Sequence, residues 1–177
     1  MSGKLVLLVG LLGVGGYVGH TMSGFDATVF PYSKEQVRTM LSQARTVLPR
    51  RDGPGQIEIW SAGRSNKGIS LEMRYADWAP VLACQAVITE VSPKESRVVP
   101  ECTSGAPSDS AIQRTTDELR SPMFEEHIQS TLNKRAFNRA IVDSKESAAV
   151  FKNLGGMQRE ALQRSDEMQQ MQAESAK

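Results

Sequence analysis

Histidine and cysteine are scarce in this chain, two of each in 177 residues, and that shortage removes most nucleophilic and metal chemistry at the outset. Cys84 and Cys102 lack a C-x-x-C spacing, so they make neither a zinc site nor a dithiol redox pair. A Cys–His nucleophile would have to join one of them to His127, and nothing in the sequence brings those residues together. Also missing are a G-x-S-x-G elbow, a Walker-type phosphate loop, a G-x-G-x-x-G after a strand and an H-E-x-x-H helix. Glu125 and Glu126 are neighbours and therefore point to different sides of a helix, which denies them the convergence that paired carboxylate catalysis needs. The expectation is a non-catalytic protein with no cofactor and no metal.

Net charge is equally scarce. With 21 Lys plus Arg against 20 Asp plus Glu, the chain lacks the clustered positive surface that displaces counterions from phosphates, so no nucleic-acid partner is expected. The adjacent Arg50 and Arg51 sit in "PRRDGPG", which reads as a solvated turn.

What the chain has instead is a charge-free start. In "KLVLLVGLLGVGGYVGHTMSGF" no charge follows Lys4, and the 21 residues from Leu5 to Phe25 would span roughly 31 Å as a helix, enough to cross a bilayer. Lys4 and the amino terminus stay on the cytoplasmic side by the positive-inside tendency, which exports the remainder. The first reading is an uncleaved single-pass anchor over residues 1–25, in a bacterial inner membrane with the following domain in the periplasm. The alternative is a cleaved signal and a free periplasmic domain, and a buried soluble helix comes last. Gly15 and Gly19 form a G-x-x-x-G, the spacing that lets two membrane helices approach closely.

The exported part, residues 26–142, reads as α+β. A short extended "ATVF" comes first and is a candidate fifth strand. "FPYSKEQVRTMLSQARTVLP" then holds a helix capped by Ser33 with Gln36, carrying Val37, Met40, Leu41, Ala44 and Leu48 on one stripe and stopped by Pro49. The period changes to two in "QIEIWSAG" and "GISLEMRYA", linked by the turn-like "GRSNKG". "VLACQAVITEV" and "SRVVPECT" follow, joined by "SPKE", which makes a four-stranded antiparallel meander. "SDSAIQRTTDELR" and "SPMFEEHIQSTLNKRAFNRAIV" read as two long helices, the second restarting on Ser121 and Pro122. Residues 143–177 form a helical or partly disordered extension, with one helix closed by Gly155 and Gly156 and a sparse apolar face at Met168 and Met171. The order of elements is loosely similar to a small helix-grip arrangement, in which a curved sheet wraps a terminal helix.

Hairpin register tests whether the cysteines meet. If Ser92, Pro93 and Lys94 form the loop, Val91 pairs with Glu95, Ile88 with Val98, Ala86 with Pro100, and Cys84 lies opposite Cys102. That register also gathers Ala86, Ile88 and Val98 on one face, and a slip by one residue loses both agreements. A Cys84–Cys102 disulfide is therefore expected, which agrees with export because disulfides persist in oxidising compartments.

Two functions fit these residues. The first is a membrane-tethered, non-catalytic accessory or assembly subunit of a bacterial envelope complex, with Trp60 and Trp78 as a candidate partner surface. The second is a carrier or sensor for a small apolar ligand, held in a cavity lined by Ile59, Leu71, Met73, Ile88 and Phe124.

Overall fold

The computed structural model describes residues 26–102 and 110–175. The expected membrane anchor over residues 1–25 and its Gly15/Gly19 packing motif lie outside the described residues. Among the described residues no helix is long and apolar enough to cross a membrane.

The architecture is α+β: a curled six-stranded antiparallel sheet whose inner face carries two helices, with a third helix outside them. The strands are β1 (Val29–Phe30), β2 (Arg45–Pro49), β3 (Gln56–Arg64), β4 (Gly68–Arg74), β5 (Leu82–Ser92) and β6 (Glu95–Glu101). Their spatial order is β1-β6-β5-β4-β3-β2, so the expected meander of β3 to β6 is present and gains a strand at each edge. With β1 and β2 on opposite edges, the intervening chain must cross the sheet. Helix α1 (Lys34–Gln43) makes that crossing and buries Val37 and Leu41 against the strands.

The start of α1 is the one written in the sequence. Ser33 Oγ accepts from Gln36 N–H and the Gln36 side chain accepts from Ser33 N–H, a complete capping box. Its end is not. The stripe through Leu48 predicts helix to Pro49, whereas Ala44 turns extended and residues 45 to 49 form β2. Thr46 and Leu48 satisfy a period of two as readily as a helical stripe, and β-branched Thr46 and Val47 suit the pleat. Pairing Leu48 with Ile57 and Thr46 with Ile59 settles the choice through contacts made far along the chain.

Strands β3 to β5 alternate as expected, with Ile57, Ile59, Ile69, Leu71, Met73, Cys84, Ala86 and Ile88 buried inward. Gly68 is required where β4 meets β5, since a Cβ there would stand 2.0 Å from the Ala86 carbonyl oxygen. The β5–β6 register matches over its body: Ile88 pairs with Val98 and Ala86 with Pro100. Only the turn differs, because Ser92 and not Val91 pairs with Glu95. The loop thereby shrinks to Pro93-Lys94 and a bulge falls between Glu90 and Ser92.

Helix α2 (Ala111–Leu132) is uninterrupted, which corrects the expected break at Ser121-Pro122. Its cap is Ser110, whose hydroxyl accepts from Gln113 N–H. Pro122 removes one intrahelical donor, a cost met by burying Pro122, Met123 and Phe124 together in the core. Helix α3 (Arg139–Ser175) likewise runs on through Gly155 and Gly156, where the sequence suggests a stop. The expected boundary between residues 142 and 143 falls within it. The core lies between the sheet's inner face and α1 plus α2, and Val142 closes it from α3.

Candidate functional site

Cys84 and Cys102 form a disulfide with Cα atoms 4.3 Å apart. Cys84 is on the buried face of β5 opposite Leu71 of β4, and Cys102 immediately follows β6, so the bridge ties the end of the meander to the core. A bond of this kind points to an oxidising, extracytoplasmic compartment.

The five residues proposed to line an apolar cavity are brought together, as core. Ile59, Leu71, Met73, Ile88 and Phe124 belong to one buried cluster, and the most open of them, Met73, is 5% exposed. Trp60 and Trp78 are placed differently from each other. Trp60 is half-buried on the outer face of β3 beneath the Arg74 guanidinium, 5.9 Å from its ring. Trp78, in the β4–β5 connection, is 77% exposed and shares Arg50 with Tyr75, at 5.8 and 5.1 Å. Asp52 in turn holds Arg50, an ion pair that keeps the Asp52 carboxyl below its ordinary range.

His127 is fully buried on α2. Its Nδ1 is 2.8 Å from the Thr46 hydroxyl of β2, while Nε2 has no hydrogen-bond partner among the described residues. Burial pushes the imidazole down to about 4, so it is neutral near pH 7 and joins an edge strand to the central helix. Its hydrogen-bond partner is a hydroxyl rather than a carboxylate. The neighbouring Glu126 is buried as well. Burial works to raise its carboxyl, but hydrogen bonds from the Arg135 guanidinium and from Asn138 N–H outweigh that and hold it below the ordinary range. Among the described residues no group of three or more His, Cys, Asp or Glu is placed to hold a metal.

The largest feature that sequence reasoning missed is the α2–α3 hairpin. From Glu126 with Arg135 of the connecting loop, through Glu125 with Lys145 and Glu118 with Lys152 and Asn153, to the cap Ser110 with Glu160, the pairs make an antiparallel series along the hairpin. Glu160 ends the series by accepting from Ala111 N–H and the Ser110 hydroxyl at the start of α2, which holds its carboxyl below the ordinary range. Gly156 is needed at this interface: a Cβ there would lie 2.7 Å from Ala111 Cβ. Acid-base pairs spread over some fifty residues leave no short-range signal, which is why the hairpin is invisible to periodicity. Beyond Glu160 the helix outruns its partner, and residues 161 to 175 continue for roughly 22 Å past the first turn of α2. Leu162, Met168 and Met171 on that extension are all more than half exposed. Nearer the body, Phe151 is 75% exposed and lines a shallow surface groove with Leu119 and Val150, rimmed by Asp143 and Glu146.

Compared with protein-family models, with curated proteins and with solved structures, the chain matches none.

Proposed function

We propose that this chain is a membrane-tethered exported domain that acts without catalysis, as an accessory or assembly subunit of a bacterial envelope complex. The observation that carries the compartment is the Cys84–Cys102 disulfide on the core face of the sheet. The tether rests on the 21 uncharged residues from Leu5 to Phe25 and on Lys4 before them. The interaction role is supported by the α2–α3 hairpin, which displays exposed apolar side chains on a helix that leaves the body of the domain. Trp78 adds an exposed aromatic in the β4–β5 connection. The ligand-carrier reading gains no support from the geometry, because the side chains it needs are packed against one another.

Fractionation with intact-mass analysis of the native protein tests the proposal. The expected result is a full-length chain in the membrane fraction, two hydrogens lighter than the reduced chain and resistant to thiol alkylation until reduced. A soluble chain shortened by about 23 residues would keep export and remove the tether. A cytosolic chain with two readily alkylated thiols would overturn both.

A further inference from the structure

Both tryptophans of the chain border polar clefts on the outer face of the sheet, the face on which neither α1 nor α2 packs. The first cleft, of about 450 Å³, lies at one end of β3 and β4 and is lined by Gly55, Gln56, Glu58, Arg74 and Asp77. Trp78 follows Asp77 at its rim. Arg50 fixes the indole there: its guanidinium stacks on Trp78 and Tyr75 and donates to the Pro54 carbonyl at 3.3 Å, which joins the two loops that bound the cleft. The second cleft, of about 440 Å³, opens further along the same face, where small Ala62, Ser70 and Ala83 leave room between Glu72, Gln85 and Glu101. Trp60 stands between the two. Its cross-strand partner Glu72 lines the second cleft, and Arg74, which covers its ring, lines the first.

The lining selects a ligand by charge. Glu58 is held by Arg45 and Arg74, and Glu101 by Lys67, so those carboxylates are neutralised within the site. Among the described residues the side chains of Gln56, Glu72 and Asp77 make no hydrogen bond or ion pair, which leaves their polar atoms unengaged beside the clefts. Unpaired carboxylates repel a phosphate or sulfate group, and a polar lining is costly to strip of water for a hydrocarbon. Hydroxyl groups suit it: a carboxylate accepts from two adjacent hydroxyls, and an amide both donates and accepts. An indole alongside adds a flat face whose π-electron density attracts the C–H groups of a sugar ring. Two indoles spaced along one face suit a chain of sugar rings, and the floor from Gln56 to Ala62 runs roughly 20 Å.

We propose that the outer face of β3 to β5 is a binding site for an uncharged glycan. Trp78 and Trp60 are its stacking platforms, and Gln56, Glu72 and Asp77 hold the hydroxyls. The site uses neither the leading segment nor the α2–α3 hairpin, so its test is separate from that of the tether and the assembly role proposed above.

Because the chain has no other tryptophan, indole fluorescence reads this site directly. The full chain is titrated in a polyoxyethylene detergent, whose headgroup carries no sugar ring. The probes are chitotetraose, cellotetraose and maltotetraose, with a sulfated heparin tetrasaccharide as the anionic comparison. At least one neutral tetramer is expected to shift the emission and to half-saturate below about 1 mM, with little dependence on salt. Trp78→Ala and Glu72→Ala should each raise the dissociation constant by about fivefold or more, measured by titration calorimetry because the first removes a fluorophore. Trp78 is 77% exposed and the Glu72 side chain has no partner to lose, so the circular dichroism of both variants should match the wild type. Silence from all three neutral tetramers overturns the proposal. So does binding of the sulfated tetrasaccharide alone, which would make the site one for anions. Binding that both variants leave unchanged also overturns it, because the glycan would then lie elsewhere.

Discussion

Replacing His127 by asparagine isolates the most sharply defined titration in the molecule. The imidazole is fully buried and sits near 4 where an ordinary histidine sits at 6.5. Unfolding lets it take up a proton that the folded state refuses. The unfolded chain therefore binds more protons than the native one between those two values, and stability falls as pH drops through that window. The full gap corresponds to about 3 kcal/mol, of which about 2 kcal/mol is lost between pH 7 and pH 5. The carboxylates titrate alike in wild type and variant, so the difference between the two slopes isolates His127. Asp26, Asp52, Glu118, Glu126, Asp143 and Glu160 are all held below their ordinary values, so their contributions are lost only at more acid pH. Glu146 is raised by burial and acts with the opposite sign, adding stability as pH falls. In His127→Asn the amide takes the place of Nδ1 opposite Thr46, while the missing ring atoms cost about 1 to 3 kcal/mol at neutral pH. Urea unfolding in detergent at a series of pH values is the assay. The wild-type midpoint should fall between pH 7 and pH 5 relative to the variant, which should start lower and lose no stability over that interval. Equal slopes in the two proteins would refute the assignment of this titration to His127.

Two neighbouring glycines should respond in opposite directions. Gly156→Ala forces α2 and α3 apart at Ala111 and should cost about 1 to 3 kcal/mol, whereas Gly155→Ala meets nothing within 4 Å and should gain about 0.5 to 1 kcal/mol of helix propensity. Thermal unfolding followed by circular dichroism compares them, and a loss in both would contradict the close approach. Glu126→Gln leaves the Arg135 guanidinium without its carboxylate and weakens the acceptor for Asn138 N–H, so it should cost about 1 to 3 kcal/mol in chemical denaturation. An unchanged midpoint would show that the pair is not holding the α2–α3 connection.

The sheet was readable because its signals are local. Strands β3 to β6 alternate in sequence, and the register of β5 on β6 follows from matching apolar faces over a few residues, which is enough to place the disulfide. Capping at Ser33 is equally local. His127 was harder. As one polar residue on an apolar helix face it has no signature of burial, and its partner Thr46 lies in a stretch that reads as helix until β2 pairs with β3.

The sequence alone determined the α+β character, the meander and the cysteine pairing, because alternation and capping act between residues close in the chain. Tertiary structure alone decided three things. It turned residues 45 to 49 into an edge strand, since only contact with β3 distinguishes the two periods there. It carried α2 through Pro122 and α3 through Gly155 and Gly156, since burial in the core and close helix packing outweigh the local preference to stop. And it left the outer face of α3 uncovered, because which side of a helix is used depends on where its neighbours lie.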